Sequence, residues 1–278
     1  MIAATQRPMP AAAVKVSVVL GSYNRARFLK GTVASIREEL ARCPFRSEII
    51  VVDGGSTDGS LAWLLKQKDI LTIVQHNRGE WQGRAIERRS WGYFMNLAFK
   101  VAQGEYVCML SDDCLAVPGA ILNGVTLCDE RRAAGERIGA AAFYWRDWPH
   151  EERYRVGLTF GGRMFVNHGL YLKEALEAVG YADEENYLFY HADGDLCLRM
   201  WQAGYPCIDA PDSYVEHHAH ANVSVRDSNA AVQKGDWERY VQTWGSLGVP
   251  QQDWLVREYR DPARTVRKFP RAWFGGRS

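Results

Sequence analysis

Between residues 16 and 113 the chain alternates between two hydrophobic periods, and this alternation restricts its fold more than any other feature. Val16-Ser17-Val18-Val19-Leu20 is an apolar run of strand length, followed by the turn-like Gly21-Ser22-Tyr23-Asn24. Leu29, Val33, Ile36 and Leu40 then recur at i, i+4, i+7 and i+11, one face of an amphipathic helix. Ile49 to Val52 is a second strand run, opening into Asp53-Gly54-Gly55-Ser56-Thr57-Asp58-Gly59-Ser60. Leu61, Leu64 and Leu65 line one side of a short helix, and Ile70 to Val74 makes a third strand. Trp91, Met95, Ala98 and Ala102 mark a further helix, with Gly104 expected at its C′ position. Tyr106 to Leu110 is a fourth strand that releases Asp112 and Asp113. Such alternation calls for a mostly parallel sheet with right-handed crossovers.

Open α/β sheets bind ligands beyond the carboxyl ends of their strands. Three polar loops fall there: Ser22-Tyr23-Asn24, Asp53 to Ser60, and Ser111-Asp112-Asp113. Two adjacent carboxylates at a strand end make a hard, oxygen-rich site suited to Mg²⁺ or Mn²⁺ carrying a phosphate. The bland alternative is a solvated aspartate turn. Asp53 could accept from the N3–H of a uracil, with Tyr23 stacked on the base, or it could cap the Gly-Gly turn. The glycine-rich stretch is neither a G-x-G-x-x-G nor a P-loop.

The second half is less regular. Leu158 to Val166 reads as a strand and turn, leading through Asn167-His168-Gly169 to a helix over Tyr171 to Val179. Asp193-Gly194-Asp195 opens a short helix closed by Gly204. Carboxylates there either cap amides or supply a general base. Ser213-Tyr214-Val215 ends in Glu216-His217-His218-Ala219-His220, and alternation places His217 on one face and His218 and His220 on the other. Arg78, Arg84, Arg88 and Arg89 fit either a pyrophosphate clamp or a charged surface helix.

A formal net charge of +1 gives no global case for nucleic-acid binding. Six cysteines without a C-x-x-C pair read as reduced thiols of a cytoplasmic protein. Met1 to Val14 is Ala- and Pro-rich without an apolar core, and no stretch of 18 apolar residues follows, so neither a signal peptide nor a membrane span is expected. Residues 254–278 carry seven Lys/Arg against two acids. Arg257, Arg260, Arg264, Arg267, Lys268 and Arg271 alternate there with Trp254, Tyr259, Phe269, Trp273 and Phe274. The segment suits peripheral contact with the inner face of an anionic membrane, or a helix packed on the domain.

Four segments taken in order carry a family resemblance: Val18 to Arg25, Ile50 to Ser60, Gly104 to Asp113, and Tyr190 to Arg199 followed by Ala203-Gly204-Tyr205. With them the chain resembles the inverting, GT-A-fold nucleotide-sugar glycosyltransferases of family 2, of the bacterial surface-polysaccharide type. The resemblance implies an α/β, GT-A-like, mostly parallel (Rossmann-like) sheet flanked by helices, with a smaller acceptor-side region and a C-terminal helical segment. It implies nucleotide contacts from Leu20, Ser22, Tyr23, Asp53 and Asp112, a divalent ion (Mn²⁺ or Mg²⁺) on Asp113 with His217 or His218, and Asp193 as catalytic base. The donor would be a nucleotide sugar, UDP-linked by preference, and the acceptor a glycan or lipid-linked saccharide. Two departures stand out, Ser111 and Ala192, where the family often has acids. The expected division is a flexible leader (1–14), a nucleotide-sugar-binding half (15–115), an acceptor and catalytic half (116–225) and a C-terminal segment (226–278). The rivals are a nucleotidyltransferase, whose basic glycine-rich signature Gly21 to Arg25 does not supply, and a non-catalytic nucleotide- or sugar-binding domain.

Overall fold

The apolar runs become strands covered on both faces, as parallel pairing requires. The computed structural model describes residues 13–148, 150–218, 223–248 and 255–259, with the side chains of 81, 223–228 and 255–259 excepted. The leader to residue 12, His220 and the residues beyond 259 therefore lie outside it.

In chain order the first half comprises β1 (Val16–Ser22), α1 (Ala26–Leu40), β2 (Ser47–Asp53), α2 (Ser60–Leu64) and β3 (Ile70–Val74). A small hairpin follows, β4 (Glu80–Trp81) with β5 (Arg84–Ala85), then α3 (Trp91–Val101) and β6 (Tyr106–Met109). The second half adds β7 (Cys114–Ala116), α4 (Ala120–Ala133), β8 (Ala140–Asp147), β9 (Tyr154–Thr159), β10 (Arg163–Phe165) and β11 (Gly169–Leu172). It ends with α5 (Lys173–Ala178), α6 (Ala192–Gln202), β12 (Cys207–His217), α7 (Val223–Trp244) and β13 (Leu255–Tyr259).

Strands β3, β2, β1 and β6 lie side by side, all parallel. β11 continues the same sheet antiparallel to both β6 and β8, with β9 and β10 beyond. β12 runs parallel to β8, and its last residues pair with β7. The register sets Ser22 beside Asp53, and His217 beside Cys114. The strand-end loops of one half and the end of β12 in the other thus meet at one edge.

Helix α1 packs on the sheet through Leu29, Val33 and Ile36, all fully buried. Its start is capped from the next loop, where Asp58 Oδ2 accepts from Ala26 N at 2.8 Å. Its end carries a buried acid, Glu39. Oε2 accepts from Gly119 N (2.7 Å), and Oε1 from Ile121 N (3.0 Å) and Leu122 N (3.3 Å), which ties α1 to the first turn of α4.

Four expectations need correcting. Gly104 is not a left-handed helix cap, because α3 ends in extended backbone at Ala102. Gly104 is required instead by close approach, since a Cβ there would lie 2.5 Å from Ser17 N. Leu65 caps α2 and is 68% exposed rather than packed. Tyr171 and Leu172 belong to β11, and the helix begins only at Lys173. A short apolar run buried between two strands has no period that separates it from a buried helix. Residues 255–259, expected in one reading to be helical, pair as a strand with β9.

Replacing Glu39 by Ala leaves the buried amide of Ile121 and the part-buried amides of Gly119 and Leu122 without this acceptor. We expect Glu39→Ala to lose about 2 kcal/mol or more of stability in urea denaturation. Glu39→Gln should lose less, and an unchanged midpoint for Glu39→Ala would remove the capping role.

Candidate active site

A cleft of about 640 Å³ opens at the carboxyl edge of the parallel strands. Its walls come from the loops after β1, β2 and β6, the turn before α6, and the inner side of α7. Two reciprocal bonds zip the first two loops together, Asn24 N to Ser56 Oγ at 2.9 Å and Thr57 N to Asn24 Oδ1 at 2.8 Å.

The Asp112–Asp113 turn is buried, not solvated, with each residue 3% exposed. Thr32 Oγ1 donates to the Asp112 carbonyl (2.9 Å) and His218 N to the Asp113 carbonyl (2.9 Å), so the backbone is fixed on both sides. Arg25 Nη1 donates to Asp112 Oδ1 at 2.8 Å and to Asp113 Oδ2 at 2.7 Å. Burial pushes the Asp112 carboxyl up to about 6, against Arg25, which lowers it, and with the Asp113 charge adding to the rise. Burial also opposes the Arg25 charge, yet Asp112 and Asp113 outweigh it and raise that pKa.

Asp113 Oδ1 points away from Arg25 and lies 3.6 Å from Nε2 of His217. The other ring nitrogen of His217 meets Asp147 Oδ1 at 2.8 Å. A carboxylate on one imidazole nitrogen frees the other for a metal and fixes the ring's orientation. Glu216, the preceding residue, anchors the strand end, taking Arg146 Nε at 2.9 Å and Arg146 Nη2 at 2.8 Å as well as the Tyr154 hydroxyl. Asp113, Cys114 and His217 place their ligand atoms within 4.8 Å of one another. Burial keeps the Cys114 thiol protonated, with Sγ 3.6 Å from Nε2 of His168, so the carboxylate and the imidazole are the donors that suit a divalent ion. His218 turns the other way, its ring packed near Phe28 and Trp148 with centroids at 4.9 and 6.1 Å.

Across the cleft, Asp193 occupies the first turn of α6, with Oδ1 accepting from Gly194 N at 2.9 Å. Burial raises its carboxyl to about 6, partly offset by that hydrogen bond. Asp195 serves differently: Trp244 Nε1 (2.9 Å) and Arg199 Nε (2.7 Å) tie it into the interior. Gly194 is forced by packing, since a Cβ would lie 2.5 Å from the Tyr240 hydroxyl. Asp236 of α7 accepts from the amides of Leu188 (2.9 Å), Phe189 and Tyr190 (both 2.8 Å), which fixes the loop that delivers Asp193.

The remaining sequence candidates divide. Ser22 and Tyr23 line the cleft. Asp53 is fully buried beneath it: Oδ1 takes the amides of Gly55 (2.9 Å) and Ser56 (2.7 Å), while Oδ2 has no hydrogen-bond partner among the described residues. The Leu20 side chain lies in the core. Of the four arginines, Arg78, Arg88 and Arg89 line the cleft, whereas Arg84 is exposed on the β4–β5 hairpin. Sequence reasoning passed over Asp147, Asn229 and Asp236, whose partners lie tens of residues away with no local pattern linking them.

The family model described as glycosyl transferase family 2 matches residues 17–180. Succinoglycan biosynthesis protein ExoA of Rhizobium meliloti is 25% identical over 197 residues, 68% of this chain and 58% of that protein. The chain spans 28% of the length of each of the first curated relatives it matches. In fold it is similar to a mannosyltransferase of Pyrobaculum calidifontis solved with GDP-Man and Mn²⁺ (TM-score 0.57, 19% identity, 85% of this chain and 68% of that one). It is likewise similar to S. aureus TarS 1-349 in complex with UDP-GlcNAc (TM-score 0.54, 18% identity, 82% and 67%). Three strand-end loops sharing one cleft, a GT-A sheet and a family match over more than half of its length agree: this chain belongs to glycosyl transferase family 2.

Proposed function

We propose that the protein is a metal-dependent, inverting glycosyltransferase that moves a sugar from a nucleoside diphosphate, UDP by preference, to a glycan or lipid-linked acceptor in polysaccharide synthesis. The observation that carries the reading is the presence, in one cleft, of the buried Asp113 beside a half-buried His217 and of an Asp193 carboxyl raised to about 6. Donors solved on related folds, GDP-Man with Mn²⁺ and UDP-GlcNAc, support a nucleotide sugar.

Tyr23 stacks on the base, and the bare Asp53 Oδ2 accepts its imide N–H. Ser22 and Asp112 serve the ribose. Asp113 and His217 would hold the divalent ion, which would offset the charge growing on the departing diphosphate. The carboxylate oxygen suits Mn²⁺ or Mg²⁺, and the imidazole beside it favours Mn²⁺ of the two. Asp193 takes the proton of the acceptor hydroxyl while that oxygen bonds to the anomeric carbon from the face opposite the diphosphate. The bond to the leaving phosphate oxygen breaks in the same step, so the configuration inverts. No described helix is long and apolar enough to cross a membrane, and the basic C-terminal residues beyond 259 are the candidates for contact with an anionic bilayer at its cytoplasmic face.

Turnover of a panel of UDP- and GDP-sugars, with and without Mn²⁺, tests the reading. Asp113→Ala should abolish metal-dependent nucleotide binding, and unchanged binding and turnover would remove the metal role. No turnover of any donor with retained nucleotide binding would point to a binding module instead.

Asp193→Asn should leave donor binding intact and lower kcat by at least about a hundredfold, the scale of general-base catalysis. Because a base acts only when ionised, wild-type kcat should fall as pH drops through about 6. Stability runs the opposite way. The folded-state pKa is raised from 3.8, so the folded protein holds this proton more tightly and loses stability as pH rises from 3.8 through about 6. Asp193→Asn should therefore melt higher than wild type at pH 7.5, with the gain shrinking towards pH 4. An acid limb near pH 4, or near wild-type transfer by the Asn variant, would place the base elsewhere.

A further inference from the structure

Helix α6, which carries the proposed base, begins on a left-handed residue. Its N-cap, His191, has φ 65° and ψ −1°, and its side chain makes no capping bond among the described residues. Histidine enters this region more readily than most non-glycine residues, but the conformation is a minor one that persists only where the surroundings fix it. Here they fix it from both directions. The three amides before His191, those of Leu188, Phe189 and Tyr190, donate to Asp236 of α7, and the Leu188 carbonyl accepts from Trp91 N at 2.9 Å. Just after it, Asp195 N donates to the His191 carbonyl at 2.8 Å, the first bond of α6.

The side chain is held by the same helix. The His191 ring lies almost parallel to that of Tyr240, with centroids 4.9 Å apart and planes at 12°, and it meets Trp237 at 5.2 Å and 54°. Asp236, Trp237 and Tyr240 are spaced i, i+1 and i+4 along α7, so they share one side of it. Tyr240 is fully buried, and its hydroxyl is the atom that a Cβ at Gly194 would strike. Asp193 therefore sits between two residues, 191 and 194, that are both fitted to one tyrosine. A right-handed or extended backbone at His191 would send α6 off in another direction and carry Asp193 out of the cleft it lines. We infer that His191 is a positioning residue for Asp193, and that α7 aims the base by holding this left-handed turn through Asp236, Trp237 and Tyr240. The inference rests on the reading of Asp193 as the base. It draws in α7, which lies beyond the residues 17–180 matched by the family model. A reacting group misplaced by about 1 Å can lose on the order of a hundredfold in rate, so an error in this turn falls on kcat. The strand-end loops proposed to bind the nucleotide are held by other contacts and are untouched by it.

The test compares His191→Asn with His191→Ala in the full chain. Both lose the ring, but asparagine tolerates the left-handed turn and alanine does not. The readouts are hydrolysis, with water as acceptor, of whichever UDP- or GDP-sugar turns over in the donor panel, and calorimetric binding of UDP. The alanine variant should fall about tenfold or more below the asparagine variant in kcat, with KM for the sugar and UDP affinity unchanged in both. A His191 that serves stability alone would lower the melting temperature and leave the two variants with equal kcat well below it, and that outcome overturns the inference. Trp237→Leu tests the helix. It should lower kcat in the wild-type background and add little to His191→Asn, where no ring remains to be held, whereas independent, additive losses overturn the part assigned to α7. Asp193→Asn separates this inference from the reading beneath it. If that variant hydrolyses the sugar as fast as wild type, or if no sugar turns over, the base reading falls and crystal structures of the two His191 variants decide the positioning alone. An Asp193 carboxyl displaced with alanine and in place with asparagine supports it, and one unmoved in both overturns it.

Discussion

Two neighbouring carboxylates that are each 3% exposed should not coexist ionised without help, and the help given to them organises the rest of this molecule. Arg25 bridges the pair with one nitrogen and takes one oxygen from each. This leaves Asp113 Oδ1 facing His217, so the residue that makes burial tolerable also decides which oxygen is offered to a cation. Arg25 is itself held in place because it ends the first strand-end loop, and that loop is locked to the second through Asn24, Ser56 and Asp58. The loops are in register because β1 and β2 pair in parallel, with Ser22 opposite Asp53. Sheet register, loop zipper and site electrostatics form a single chain of cause.

The first half of that chain was legible in the sequence. Parallel strands buried on both faces read as unbroken apolar runs, and their polar ends mark the binding edge, so Ser22, Tyr23, Asp53 and the Asp112–Asp113 pair could be located without coordinates. The second half was not. The run Ala140-Ala141-Ala142 has the best helix propensity available, yet it forms β8, because pairing with β11 and β12 overrides it. Tyr171 and Leu172 misled for the converse reason, as apolar residues with no period to tell a central strand from a helix. Strand alternation separated His217 from His218 but could not say which faced inward. The answer comes from a register shift in β12 between Ala210 and Tyr214 and from Asp147 on a strand 70 residues away.

Helix α7 shows a similar limit. Nothing in Asn229, Asp236 or Tyr240 reads as a motif, yet each touches a different part of the cleft. Asn229 gathers the arginines, Asp236 caps the amides of the loop before α6, and Tyr240 leaves no room for any side chain at position 194. A helix in contact with several parts of the cleft fixes their relative positions.

The groups assigned to chemistry share a physical signature that the groups serving structure lack. Glu39 and Asp236 are buried acids too, but each spends both oxygens on backbone amides. Asp193 has a single amide contact and a carboxyl raised to about 6, and Asp53 keeps one oxygen bare. Asp193 and Asp53 thus each keep a carboxylate oxygen that no backbone amide among the described residues takes up. Burial by itself does not produce this condition, as Glu39 and Asp236 demonstrate. Buried carboxylates not fully spent on amides, Asp53 and Asp193, lie instead at or beneath one cleft. That contrast, more than the presence of acidic residues, is the physical ground for locating the reaction where the parallel strands end.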